Sequence, residues 1–127
     1  MRDESITPDV VTVRPFVPAP DFATSKRFYA DLGFTIHDLG PAIASIELGR
    51  YSFLLQDYNE PAFAGHFMMQ LIVNDLDAWW RRIEGLDLAG KYGVRAPKAP
   101  AMQPWGLIVA YVVDPAGVLW HVVQQPK

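Results

Sequence analysis

The order of local structural signals repeats along this chain, and that repeat restricts the fold more than any other feature. Asp21 opens a run from Phe22 to Leu32 with apolar residues Phe22, Phe28, Tyr29 and Leu32, and Gly33 closes it. Aspartate is a good helix N-cap, and glycine accepts the left-handed turn that ends a helix, so a helix is predicted over 22–32. At an offset of 54 residues, Asp75 (or Asn74) opens a second run, and Leu32 falls on Leu86. In that run Leu76, Trp79, Trp80 and Ile83 take the i, i+3, i+4, i+7 spacing of an amphipathic helix, and Gly85 ends it.

A strand signal precedes each helix, the β-branched run Val10–Val17 in the first half and Phe67–Val73 in the second. Pro15 cannot donate to a ladder, so the first of these is an edge strand or is bent there. Three strand signals follow each helix. In the first half they are about Phe34–Leu39, Ala42–Leu48 and Tyr51–Gln56, with turns at Gly40-Pro41 and Gly49-Arg50. In the second half a weak strand at Ala89–Tyr92 precedes a long loop, Gly93 to Pro104, with three prolines. Gly106–Val113 and Val118–Gln124 then form a hairpin around Asp114-Pro115-Ala116-Gly117.

The reading is an α+β fold of two βαβββ modules in a single domain spanning 1–127. Module one covers about 10–57, a linker 58–66, and module two about 67–125. The repeat is one of element order, since identity between the halves is slight. One helix cannot cover a curved sheet completely, so the two mixed sheets should meet and enclose a cleft.

Composition narrows the chemistry. The chain has no cysteine, which removes disulfides, thiol catalysis and thiolate metal sites. The net charge is −3 without any basic run, so no nucleic-acid partner is expected. No apolar run approaches the roughly 18 residues of a membrane span, and the first residues, MRDESITPD, are no signal peptide. A cytoplasmic protein with no membrane partner is expected. Four Trp, five Tyr and seven Phe exceed what so small a core needs, so some should line a cleft.

Four short motifs, in this order, carry a family resemblance: Pro18-Ala19-Pro20-Asp21; Phe28-Tyr29-Ala30-Asp31-Leu32-Gly33-Phe34; Gln103-Pro104-Trp105-Gly106; and Asp114-Pro115-Ala116-Gly117. On a duplicated βαβββ pattern, the chain resembles the glyoxalase, bleomycin-resistance and extradiol-dioxygenase superfamily, also called vicinal oxygen chelate, over about residues 10–125. Enzymes of that superfamily hold one divalent metal with His, Gln or Glu from the first and last strands of each half. The resemblance places the corresponding seats seven residues before each capping aspartate, at Arg14 and Met68, and seven after Asp114, at His121. The fourth falls near Leu54. Arginine only donates, leucine has no donor atom, and a thioether suits soft ions rather than Mg, Mn or Zn. No metal, no other cofactor and no catalytic set is therefore expected. The alternative is a glyoxalase-like lyase or extradiol dioxygenase whose divalent metal sits at a site shifted by two residues, on Gln56, His66 and His121.

Within the superfamily the chain is most similar to the metal-free bleomycin-resistance proteins. That resemblance implies a homodimer that sequesters a small molecule, such as a cationic aromatic antibiotic, in clefts at the subunit interface. The family often exchanges its N-terminal strand between subunits, which a Pro-bearing edge strand suits. The expected ligand-binding set is Arg14, Phe53, Leu54, Gln56, Met68, Gln70, Trp105 and His121. Each has a plainer alternative. Arg14 either anchors an anionic group or makes an exposed salt bridge at a strand end. His121 lines the cleft, serves as a base, or is a buried neutral imidazole. Trp105, stiffened by Pro104, is a stacking plate or a hydrophobic plug. Asp57 and Glu60 either complement a cationic guest or form a solvated acidic loop. Trp79 and Trp80 are assigned to the core, at least in part.

Overall fold

A computed structural model describes residues 7–127. After a single 3-10 turn at Thr7–Asp9, the first module runs β1 (Phe16–Pro18), α1 (Phe22–Leu32), β2 (Thr35–Asp38), β3 (Ile43–Leu48) and β4 (Tyr51–Gln56). A short helix α2 (Pro61–Ala64) occupies the linker. The second module runs β5 (Met68–Val73), α3 (Leu76–Gly85), α4 (Leu88–Tyr92), β6 (Lys98–Met102), β7 (Ile108–Val113) and β8 (Leu119–Gln124). The strand orders are β1-β4-β3-β2 and β5-β8-β7-β6, so the two sheets are built alike. In each, the first strand pairs parallel with the last, and the remaining pairs are antiparallel. The expected α+β fold of two βαβββ modules is the observed one.

Both long helices begin and end on local chemistry. The Asp21 carboxylate accepts from the Thr24 amide at 3.2 Å, and Asp75 accepts from Ala78 at 3.0 Å. Gly33 closes α1 in the left-handed region, at φ 118°. There the Arg82 guanidinium of α3 donates to the carbonyls of Leu32 (3.1 Å) and Asp31 (3.3 Å), covering acceptors that the helix end leaves open.

Three expectations need correction. The strand expected over Val10–Val17 is reduced to Phe16–Pro18. Among the described residues, 10–14 run beside no other strand, and the ladder starts only where Leu54 N–H donates to the Pro15 carbonyl. Arg14 therefore precedes the strand instead of lying on it. The weak strand at Ala89–Tyr92 is the helix α4: Asp87 caps it by accepting from Gly90, and the local aspartate-to-amide bond wins over a marginal strand pattern. The proline-bearing loop Gly93–Pro104 contains β6. Pro100 is tolerated because β6 is an edge strand with an irregular register between Lys98 and Ala101.

One core serves both modules. Val17, Ala44, Ile46, Phe53 and Leu55 from the first sheet join Val112, Trp120 and Val122 from the second, with Phe28, Tyr29, Leu76 and Ile83 from the helices. Trp79 and Trp80 lie half-buried against it. At the junction, rings of Tyr29, Phe34, Phe53 and Trp120 meet edge-on or tilted, with centroids 5.2–6.1 Å apart.

The junction also holds a buried polar chain. Tyr29 donates to the Asp114 carboxylate at 2.6 Å and accepts from the Trp120 indole at 3.0 Å. The other Asp114 oxygen accepts from the amides of Ala116 and Val118, both at 2.8 Å. Burial pushes the Asp114 carboxyl above its usual range, against these hydrogen bonds, and holds the Tyr29 phenol well above its own. Two motifs 85 residues apart, one at a helix end and one in a turn, thus form a single contact.

Candidate ligand-binding face

Strand alternation sends one face of each sheet into the shared core and turns the other away from it, where Phe16, Met68 and Ile72 are bare while Ser45, Leu54, Val109 and Val123 are buried. On the first sheet, Val17, Phe53 and Leu55 face the core, whereas Phe16, Leu54 and Gln56 take the open side. His37, Ser45 and Leu54 are level across β2, β3 and β4. Arg14 reaches this face from outside the strand. Its guanidinium donates to the Ser45 hydroxyl at 3.3 Å, which donates to the Glu47 carboxylate at 2.8 Å. The arginine is already tied, through one hydroxyl, to an acid.

On the second sheet the open face is more ordered. Register places Lys98 (β6) level with Tyr111 (β7), Tyr111 level with His121 (β8), and His121 level with Gln70 (β5). An ammonium, a phenol, an imidazole and a carboxamide form one polar rung across four strands, a span of about 14 Å at the usual inter-strand spacing. The Tyr111 and His121 rings meet edge to face with centroids 4.9 Å apart. Apolar rungs flank it. One is Val113, Leu119 and Met68; the other is Val109, Val123 and Ile72, of which only Ile72 is exposed. Met68, at 64% exposure, and Ile72, at 49%, lie bare on the edge strand.

A pocket of about 300 Å³ opens at one end of the rung, between Arg95, Lys98, Gln103, Tyr111, Val113 and Leu119. Gln103 belongs to the β6–β7 turn, closed by the Gly106 amide on the Gln103 carbonyl at 2.9 Å. Trp105 sits at the tip of that turn, 57% exposed. A second hollow of about 460 Å³ lies between the modules, where the β3–β4 hairpin approaches β5, with Tyr51, Phe53, Gln70 and Trp120 among its walls.

The eight sequence-expected residues thus divide. Met68, Gln70 and His121 share the second sheet's open face, and Leu54, Gln56 and Arg14 the first's. Trp105 is bare and near the pocket. Phe53 differs by one residue of parity from Leu54: it is 2% exposed, lies in the core at the module junction, and reaches only the inter-module hollow. Sequence reasoning missed Lys98, Tyr111 and Arg95. Tyr111 is legible in retrospect as the aromatic two residues from Val109 on a strand, whereas Lys98 and Arg95 were hidden in the proline-bearing loop.

The donor set at the four metal seats does not fit a divalent ion. Arg14 is positively charged and engaged, Leu54 has no donor, and Met68 offers a bare thioether. His121 pairs with Gln70 and not with Met68 in the sheet. Among the described residues no three His, Cys, Asp or Glu side chains group so as to hold a metal. His66 lies in the turn before β5, outside the strand.

Two βαβββ modules of identical strand order, joined through one core and each with a sheet face turned away from it, define a paired-module class of protein. The chain belongs to the glyoxalase/bleomycin resistance protein/dioxygenase superfamily, whose pattern matches residues 10–122. It is similar to a bleomycin resistance protein of Klebsiella pneumoniae, 31% identical over 116 residues that cover 87% of this chain and 89% of that one. A crystal structure of a bleomycin-binding protein complexed with bleomycin superposes with a TM-score of 0.77 at 26% identity, covering 92% of this chain and 100% of that one. A lactoylglutathione lyase from Agrobacterium tumefaciens superposes with a TM-score of 0.66 at 20% identity, covering 91% and 94%, which shows the fold alone. The superfamily resemblance carried by the four motifs is therefore correct. No helix among the described residues is long and apolar enough to cross a membrane.

Proposed function

We propose that this chain is a metal-free small-molecule binding protein of the bleomycin-resistance type, which holds a guest without making or breaking a bond. The observation that carries the reading is the second sheet's open face, a polar rung between two apolar rungs with no metal-binding set upon it. Such a surface offers burial for a flat molecule and a few polar groups to orient it. The two relatives described above, whose names specify bleomycin resistance and bleomycin binding, support the same reading.

The working unit is a homodimer. A monomer that leaves Phe16, Met68, Ile72, Met102 and Trp105 bare exposes more apolar surface than water favours. A second copy that lays its first sheet's open face over this second sheet covers these residues and encloses the guest twice, by symmetry. The arm at 10–14 is the segment to exchange: Val11 is 95% exposed, and among the described residues no strand pairs with the arm. Arg14, Leu54 and Gln56 of one subunit then face Met68, Gln70 and His121 of the other, with Trp105 at the rim.

Sedimentation equilibrium and calorimetric titration with bleomycin test this together. A species of twice the 14.2 kDa chain mass that binds bleomycin saturably supports the proposal. A monomer at micromolar concentration that gives no binding heat overturns it. Treatment with EDTA should change neither the mass nor the melting temperature; a clear drop in melting temperature overturns the metal-free part.

A further inference from the structure

We infer that the second sheet's open face selects a guest bearing an anionic group, a carboxylate or a sulfate or phosphate ester, seated on Arg95 and Lys98. The inference rests on that face being the binding surface, and it departs from the cationic guest that similarity brings forward.

Charge placement is the first ground. Arg95 and Lys98 both line the pocket at the end of the polar rung, and neither has an ion-pair or hydrogen-bond partner among the described residues. No carboxylate stands on the open-face rungs of this sheet. The chain as a whole is acidic, at −3, but the carboxylates between residues 21 and 114 stand elsewhere. Asp21, Asp75 and Asp87 cap helices, and Asp38 pairs with Lys26. Asp31 takes Lys91 and Tyr92, and Asp114 is buried under Tyr29. Asp77 and Glu84 ride on α3, and Asp57 and Glu60 lie in the linker segment. On the other open face Glu47 is tied through Ser45 to Arg14. Two cations that no described side chain compensates, at one end of sheet rungs without a carboxylate, attract an anion.

Geometry is the second ground. A guanidinium presents a planar fork that fits a carboxylate or phosphate with two parallel bonds, and an ammonium adds a mobile point charge. From that end the rung continues through Tyr111 and His121 to Gln70, over about 14 Å. The apolar rungs lie about 7 Å to either side, two residues along each strand. The shape admits a flat body of two or three rings, its anionic end in the pocket and its faces on Leu119 and Tyr111.

Three matched probes test the charge: 2-naphthoate, 2-naphthylmethylammonium and neutral 2-naphthamide, each titrated calorimetrically into the full-length protein at low salt. Naphthoate should bind at least tenfold tighter than the ammonium, and rising salt should shrink that preference. In the variant carrying Arg95→Gln and Lys98→Gln, both at exposed positions and checked for an unchanged melting temperature, the preference for naphthoate over naphthamide should collapse. The proposal is overturned if the ammonium binds as tightly as naphthoate, or if the double variant keeps the wild-type preference. Naphthamide binding with naphthoate no better sinks the charge inference alone. Failure of all three probes and of bleomycin removes the open-face reading, and this inference with it.

Discussion

Replacing Tyr29 by Phe removes one oxygen from the place where the two modules meet, and the structure says what that oxygen does. It donates to Asp114 at 2.6 Å and accepts from the Trp120 indole at 3.0 Å, with all three residues at most 3% exposed. The ring stays, so its edge-on contacts with Phe34, Phe53 and Trp120 stay. Two buried partners lose a bond that water cannot replace. A bond to an ionised group is worth about 1.5–3 kcal/mol and a neutral one about 0.5–1.5, so the expected loss is about 2–4 kcal/mol. For a chain of this length each kcal/mol lowers the melting temperature by about 3–5 °C. Urea unfolding followed by circular dichroism and tryptophan fluorescence reads this directly. pH supplies a second signature. The Asp114 carboxyl titrates above its unfolded value of 3.8, chiefly through burial. Its contribution to stability is thus fully present below that value and lost as pH rises through the folded one. Without the tyrosine donor the carboxylate is held less well, so the deficit of Tyr29→Phe should be largest near neutrality and shrink on acidification. In a double-mutant cycle with Asp114→Asn the two substitutions should couple by at least about 1 kcal/mol. A loss below about 1 kcal/mol, or strict additivity with Asp114→Asn, refutes the account of the junction.

Trp105→Ala should leave stability within about 0.5 kcal/mol because the indole is largely bare, yet weaken guest affinity at least fivefold in the same calorimetric titration. Strong destabilisation with unchanged binding would make the ring a plug. Gly33→Ala forces a side chain into the left-handed region with its new carbon 3.2 Å from the Arg82 guanidinium, so urea unfolding should show a loss of about 1–2 kcal/mol. Asp31, held below the usual carboxylate range by Lys91 and then Tyr92, contributes stability above pH 3.8 that is lost as pH falls through its lower folded value. Asp31→Asn should therefore flatten part of the acid limb of the stability curve, an effect below about 1 kcal/mol for so exposed a pair.

The sequence exposed most where one short-range rule decided the outcome. The helix at 22–32 is bounded as its capping aspartate and closing glycine require, and the β3–β4 hairpin falls where Gly49-Arg50 puts the turn. Strand parity sets Met68 and Gln70 on one face, and the seven-residue offset that the resemblance implies adds His121 to it. Reading failed where two weak tendencies competed. Ala89–Tyr92 has too few apolar positions to show a period, and a local bond from Asp87 to Gly90 settled it as helix. Pro97, Pro100 and Pro104 hid an edge strand, and with it Lys98 at the end of the polar rung. Phe53 cannot share a surface with Leu54 and Gln56, because adjacent residues on a strand face opposite ways, and it lies in the core. The long-range pairing of Tyr29 with Asp114 had no local signal: a helix motif and a turn motif each look complete by themselves.

The claim that matters most is that a guest sits on the second sheet's open face, and the four indole N–H signals of the protein report on it separately. A heteronuclear NMR titration with bleomycin or 2-naphthoate should shift the Trp105 indole and the side-chain amide of Gln70. The Trp79 and Trp80 indoles on the helix side and the buried Trp120 indole should hold still. Shifts confined to Trp79 and Trp80, or to Trp120 beside the inter-module hollow, would place the guest elsewhere and contradict the account.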